Sequence, residues 1–132
     1  MISIYADGAC QPNPGKCGIG ALLRYGKFEK EISEYIGEGT NNVAELTAIK
    51  VALEAIKRKD IPVVIYTDSR YAVDVLTGEK IAHTNTDLVV DLTYLMCSFD
   101  DINIHWIKGH NGNPYQERAD QLANAAIAKA TK

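Results

Sequence analysis

Two short apolar stretches of this chain end in the same way. Ile2-Ser3-Ile4-Tyr5-Ala6-Asp7 runs into Gly8, and Val63-Val64-Ile65-Tyr66-Thr67-Asp68 runs into Ser69. The shared pattern, Ile-Tyr-x-Asp and then a small residue, reads as a strand tipped with an acid. In the first stretch, alternation puts Ile2, Ile4 and Ala6 on one face and Ser3, Tyr5 and Asp7 on the other. If two such strands lie parallel in one sheet, both aspartates emerge at the carboxyl ends, where open α/β sheets build their sites. Neighbouring carboxylates repel one another unless something positive sits between them, so the echo points to a metal.

At 132 residues the chain is expected to form one domain, residues 1–132, with room for a real core. No apolar run reaches membrane-spanning length, and the amino terminus lacks a basic segment followed by an apolar one. A cytoplasmic protein is therefore the expectation. The net charge of −3 decides little: it disfavours a non-specific nucleic-acid binder, yet acids gathered around cations produce the same number beside local basic patches. Cys10, Cys17 and Cys97 show no metal-type spacing. A Cys10–Cys17 disulfide stays open, with free thiols in a reducing cytoplasm as the expectation.

Three strands open the chain, the first ending in a turn over Gly8 to Gly15, the next two joined at Gly26-Lys27, as in an antiparallel meander. Thr40-Asn41-Asn42 then supplies capping residues for a helix over Val43 to Arg58, with Ala48, Ile49, Ala52, Leu53 and Ile56 as its apolar stripe and Glu45 at the stripe's head. Lys57-Arg58-Lys59 closes that helix, where cations favour the negative end of the dipole. The second acid-tipped strand, Ile61 to Thr67, is nearly all apolar, as a parallel strand covered on both faces should be. Ser69 begins a short helix through Leu76, with Ala72, Val73 and Leu76 inward. A helix from Thr86 follows, with Leu88, Leu92, Leu95 and Met96 as its core face. Ile102, Ile104 and Trp106 alternate through a last strand, and the final helix, Tyr115 to Lys129, carries Asp120 beside its apolar stripe. No unused apolar face stands out, so a monomer is expected.

Each acid has an ordinary structural alternative. Asp7 before Gly8 suits a turn, Asp68 before Ser69 suits a cap, Glu45 stands near capping-box spacing from Asn42, and Asp120 has Arg118 and Lys108 as pairing partners. Together these alternatives weaken. Four carboxylates in one place would be severely destabilising without a cation, and hard oxygen ligands suit Mg²⁺ or Mn²⁺. His110, just past the last strand, falls at the same sheet end.

Asp7-Gly8-Ala9 with Asn13-Pro14-Gly15, then Thr40-Asn41-Asn42-x-Ala44-Glu45, then Tyr66-Thr67-Asp68-Ser69, then Lys108-Gly109-His110 followed by Glu117-Arg118-Ala119-Asp120, resembles type 1 ribonuclease H over nearly the whole chain. The resemblance implies an α/β ribonuclease H-like fold: a five-stranded mixed sheet in the order 3-2-1-4-5, with only the second strand antiparallel to the rest and helices on both faces. It implies an endonuclease that cuts the RNA strand of an RNA–DNA hybrid, leaving a 5′-phosphate and a 3′-hydroxyl. The four metal-binding carboxylates map onto Asp7, Glu45, Asp68 and Asp120, and the histidine that assists proton transfer or product release maps onto His110. Hybrid contacts map onto Cys10, Asn13, Asn41 and Asn42, with Thr40 and Asn13 near a DNA-strand phosphate. Two divalent ions, Mg²⁺ with Mn²⁺ as a substitute, would flank the scissile phosphate. Selectivity for the hybrid would come from 2′-hydroxyl contacts.

Two departures from the family pattern stand out. Arg70 occupies a position where many bacterial relatives carry glutamine, so its contact with a base edge or phosphate would differ. The Lys- and Trp-rich helix that those relatives insert between the second and third helices is replaced by the eight residues Gly78 to Asn85. Weaker, salt-sensitive hybrid binding follows, carried by Lys16, Arg24, Lys27 and Arg70 if they share the substrate face. Two rivals keep the fold. A 3′–5′ exonuclease typically needs a second acid where this chain has Ala9, and a catalytically silent nucleic-acid-binding domain has no need of all four acids.

Overall fold

Strand pairing brings the two acid tips side by side. The computed structural model describes residues 1–109 and 112–130. In chain order the elements are β1 (Ile2–Gln11), β2 (Gly15–Tyr25), β3 (Phe28–Gly39), α1 (Asn41–Glu54), β4 (Val63–Thr67), α2 (Arg70–Thr77), α3 (Thr86–Cys97), β5 (Ile102–Trp106) and α4 (Pro114–Ala130). The sheet order is β3-β2-β1-β4-β5. β1 runs parallel to β4, with Tyr5 opposite Tyr66, and β4 runs parallel to β5. β2 is antiparallel to both its neighbours. The expected mixed topology is therefore the observed one.

Alternation along the strands sorts the helices onto two faces. Ile4, Ile19 and Ile65 pack with Leu46, Ile49 and Leu53 of α1 and Leu92 of α3 in one cluster, each fully buried. Burying a side chain of this size stabilises the fold by about 1.5–3 kcal/mol. The alternate positions of β2, Gly18 and Gly20, face α4 on the other side. A Cβ on Gly20 would collide with the carbonyl of Ala119, so glycine there lets α4 approach the sheet closely. That approach brings Asp120, the next residue of α4, toward Asp7, the register partner of Gly20.

Several local expectations need correction. α1 stops at Glu54, capped by Ala55, because Ile56 turns into the core. Lys57, Arg58 and Lys59 thus lie past the helix and do not serve its dipole; Arg58 instead pairs with Asp60. In α2 the buried positions are Ala72, Val75 and Leu76, with Val73 half-buried. Trp106 ends β5 with 40% of its surface exposed. α3 buries Leu92 and Met96 and leaves Val90 and Tyr94 exposed one turn apart.

The cysteines differ as well. Cys10 and Cys17 form a disulfide, against the expectation of free thiols, and Cys97 remains free. The reason is register. β1 extends through Gln11, which makes Cys10 and Cys17 direct cross-strand partners with Cα atoms 4.0 Å apart, where the sequence suggests a turn beginning at Gly8. The pairing removes cysteine usage as an argument for a reducing compartment. Among the described residues, no helix is long and apolar enough to cross a membrane.

Candidate active site

Asp7 leaves β1 on the α4 side of the sheet and is buried. Glu45 comes from the first turns of α1. It is not a capping residue: the cap is Thr40, whose Oγ1 accepts from the Val43 N–H at 3.3 Å. The Glu45 carboxylate reaches across instead and accepts from the backbone N–H of Gly8. Gly8 is required there, because a Cβ would collide with the backbone of Ala44. Asp68 follows β4 directly and is likewise not the helix cap, a role taken by Ser69, whose Oγ accepts from the Ala72 N–H at 3.1 Å. The indole N–H of Trp106 donates to the Asp68 carbonyl at 3.0 Å and holds that peptide in place.

Carboxylate oxygens of Asp7, Glu45 and Asp68 all lie within 4.8 Å of one another. Asp120 joins them in lining an open cleft of about 390 Å3, together with Cys10, Gln11, Asn41, Asn42 and Asn124. Among the described residues, no lysine or arginine forms an ion pair with any of these acids. The electrostatic consequence is large. Burial pushes the Asp7 carboxyl up to about 8; a hydrogen bond with Glu45 pulls it down, and Asp68 and Asp120 add to the rise. Burial also raises Glu45 well above the usual carboxylate range, with the charges of Asp7 and Asp68 adding to it and the Gly8 N–H opposing it. At neutral pH the bare cluster therefore keeps a proton that a divalent cation would displace. Dense oxygen donors without a protein counter-charge are what a hard cation such as Mg²⁺ or Mn²⁺ takes.

The remaining sequence-derived candidates fall beside the cleft. Asn13 Oδ1 accepts from the Asn41 N–H at 3.0 Å, and Asn41 Oδ1 accepts from the Cys10 N–H at 3.0 Å. These bonds fasten the β1–β2 turn to the start of α1, and leave both side-chain amide N–H2 groups without a partner among the described residues. Asn13, Thr40, Asn41 and Asn42 line a neighbouring depression of about 430 Å3. Arg70, at the start of α2, is exposed and stacks on the Trp106 ring at 4.3 Å. Arg24 does not share this region: it sits level with Ser3, bonded to Glu29 and stacked on Tyr115, and Lys27 lies farther off in the β2–β3 turn. Lys16, opposite Gln11, stays at the cleft end. His110 lies outside the described residues. Sequence reasoning missed Gln11 and Asn124; the signal available for Asn124 was its position one helical turn past Asp120.

An α/β sheet in this order, with buried carboxylates converging where two parallel strands end, defines a domain built around a cation-seeking acidic site. The family model for RNase H matches residues 1–128. A ribonuclease H of Bradyrhizobium sp. (strain ORS 278) is 42% identical over 143 residues, covering 98% of this chain and 92% of that protein. A ribonuclease H of Chlorobium phaeobacteroides (strain DSM 266 / SMG 266 / 2430) is 41% identical over 140 residues, covering 96% and 94%. Among solved structures, LC11-RNase H1 in complex with RNA/DNA hybrid matches with a TM-score of 0.88 at 31% identity, covering 100% of both chains. RNase H1 from the halophilic archaeon Halobacterium salinarum NRC-1 matches with a TM-score of 0.85 at 32% identity, covering 97% of this chain and 98% of that one. The chain belongs to the ribonuclease H family. It is a short form: α2 ends at Thr77, α3 begins at Thr86, and no helix lies between them.

Proposed function

We propose that residues 1–132 act as one ribonuclease H domain, an endoribonuclease that hydrolyses the RNA strand of RNA–DNA hybrids and leaves 5′-phosphate and 3′-hydroxyl ends. The observation that carries this reading is the convergence of Asp7, Glu45 and Asp68 oxygens within 4.8 Å and without a protein cation. Asp7, Glu45, Asp68 and Asp120 would hold two Mg²⁺ ions, with Mn²⁺ as a substitute. When bound, such ions supply an activated water and neutralise charge that builds on the phosphoryl oxygens. The chain's own groups hold the site ready for them. The Gly8 N–H orients Glu45, the Trp106 indole fixes the Asp68 peptide, and burial keeps the Asp7 and Glu45 carboxylates from solvent. Asn13 and Asn41, each with its side-chain oxygen held by a backbone N–H, would offer amide donors to the hybrid, and Arg70 would offer it a cation. His110 is assigned proton transfer or product release. The LC11-RNase H1 match, solved with an RNA/DNA hybrid, supports the substrate class.

The test uses one end-labelled RNA, single-stranded, paired with RNA and paired with DNA, in Mg²⁺, Mn²⁺ or chelator. Cutting confined to the hybrid and dependent on metal is expected, with a loss of at least about 100-fold in Asp68→Asn. Hybrid binding without cutting in either metal would replace the reading with a silent binding domain. Stepwise shortening from the 3′ end would replace it with an exonuclease.

A further inference from the structure

Asp120 is held differently from the other acids. Asp7, Glu45 and Asp68 gather where the β1–β4 pairing ends and at the start of α1, whereas Asp120 comes from α4, on the other face of the sheet. Its carboxylate needs something to keep it facing a cluster of like charge. Asn124, one turn further along α4, supplies it. The Asn124 Nδ2 group donates to Asp120 Oδ1 at 3.1 Å and to the Asp120 carbonyl at 2.9 Å. Asn124 Oδ1 in turn accepts from Gln11 Nε2 at 2.5 Å. The direction of this chain of bonds is fixed by chemistry. The Asp120 backbone carbonyl only accepts, so Asn124 must turn its N–H2 toward Asp120 and its oxygen toward Gln11, which must then donate.

Gln11 is the last residue of β1, joined to Cys10, whose N–H is tied to Asn41. Hydrogen bonds on either side of the Cys10–Gln11 peptide bond therefore link the turn that carries Asn13 to the fourth acid. We propose that Asn124 is a positioning residue that orients Asp120 toward the ion it would share, and that Gln11 couples this orientation to occupancy of the hybrid groove. The proposal rests on the ribonuclease H reading of the cleft. Partners that orient metal ligands typically govern about 10–100-fold in metal affinity.

The test compares wild type, Asn124→Ala, Gln11→Ala and the double variant. Calorimetric titration of the hybrid-free protein with MnCl2 reads ion affinity directly. The Mn²⁺ midpoint of hybrid cleavage, the KM for hybrid at saturating Mn²⁺ and the Tm complete the set. In Asn124→Ala, Mn²⁺ affinity falls and the cleavage midpoint rises by about 10-fold, while KM for hybrid and Tm stay close to wild type. Gln11→Ala shifts the midpoint by a smaller factor, in the presence of hybrid only, and the double variant matches Asn124→Ala because both residues act through one carboxylate. Unchanged Mn²⁺ affinity and midpoint in Asn124→Ala overturn the proposal, as does a fall in Tm with no change in either. If wild type does not cut hybrid, the reading of the cleft fails by itself, and calorimetry on Asn124→Ala still decides the role of Asn124.

Discussion

The two ends of the sheet are built on opposite principles. Where the β1–β4 pairing ends, carboxylates crowd an open cleft of about 390 Å3, and among the described residues none of them has a lysine or arginine ion-pair partner. At the other end a larger cleft, about 450 Å3, is lined by Ile2, Leu23, Tyr25, Phe28, Ile56 and Ile61. There two ion pairs stand among the charges, Arg24 with Glu29 and Arg58 with Asp60. Size does not mark the chemistry. What marks it is uncompensated charge held against its own repulsion by packing elsewhere, so one end of the sheet stabilises the molecule and the other draws on that stability.

The sharpest way to break this division is to cut into each end separately. Leu23, only 8% exposed, belongs to the stabilising end. Leu23→Ala should cost about 2–4 kcal/mol of stability, read as a lower Tm, with the cleavage rate of the folded protein preserved at a temperature well below that Tm. Asp68→Asn should do the reverse: cleavage is lost, and the metal-free protein becomes no less stable because a charge facing Asp7 is gone. Loss of cleavage in Leu23→Ala while circular dichroism still reports a folded protein would show that the two ends are coupled after all.

A second test reads the charge at the acidic end through pH. Asp7 has an ordinary value of 3.8 and is pushed up to about 8 in the folded protein. The folded state thus binds this proton more tightly than the unfolded chain. The associated stability is complete below pH 3.8 and is lost as pH rises through about 8. Glu45 is displaced in the same direction. In chelator, Tm should therefore fall between about pH 4 and about pH 8. Divalent cations bind the ionised form, so the Tm gained on adding Mn²⁺ should grow over the same interval. A flat Tm in chelator, with a Mn²⁺ effect independent of pH, would mean that the carboxylates are not confined together.

How much of this was legible beforehand depends on the range of the interaction. Ile-Tyr-x-Asp carries its own strand and its own acid, and two copies were enough to predict a shared sheet end. Glu45 was legible as an acid at the head of a buried stripe, but its partner Gly8 lies 37 residues away and becomes visible only in the fold. Lys57-Arg58-Lys59 misled because local charge resembles a helix terminus even when Ile56 has already left the helix for the core. Cys10 and Cys17 misled because Gly, Pro and Asn suggested a longer turn than the one that forms, which hid their register. Asn124 is the limiting case. Its spacing from Asp120 is a common helical one, and only Gln11, 113 residues away, makes it part of a connected line.

The smallest expected effect lies at the border of the two regimes. Arg70 sits beside the acidic end yet has no acid as a partner; its guanidinium lies over Trp106, whose own N–H is committed to Asp68. Stacking on an aromatic face orients the charge without neutralising it, which leaves it available to a phosphate. With Arg24 and Lys27 turned to the other end, Arg70 and Lys16 would carry more of a bound hybrid's charge than in the expectation drawn from sequence. Arg70→Ala should therefore weaken hybrid binding by a few-fold and reduce the slope of log affinity against log salt by about 1, with kcat at saturating hybrid and metal little changed. Fluorescence titrations at several salt concentrations measure that slope. An unchanged slope with weaker binding would place Arg70 on a base edge instead, and a fall in kcat would show that its stack with Trp106 reaches through the indole to Asp68 itself.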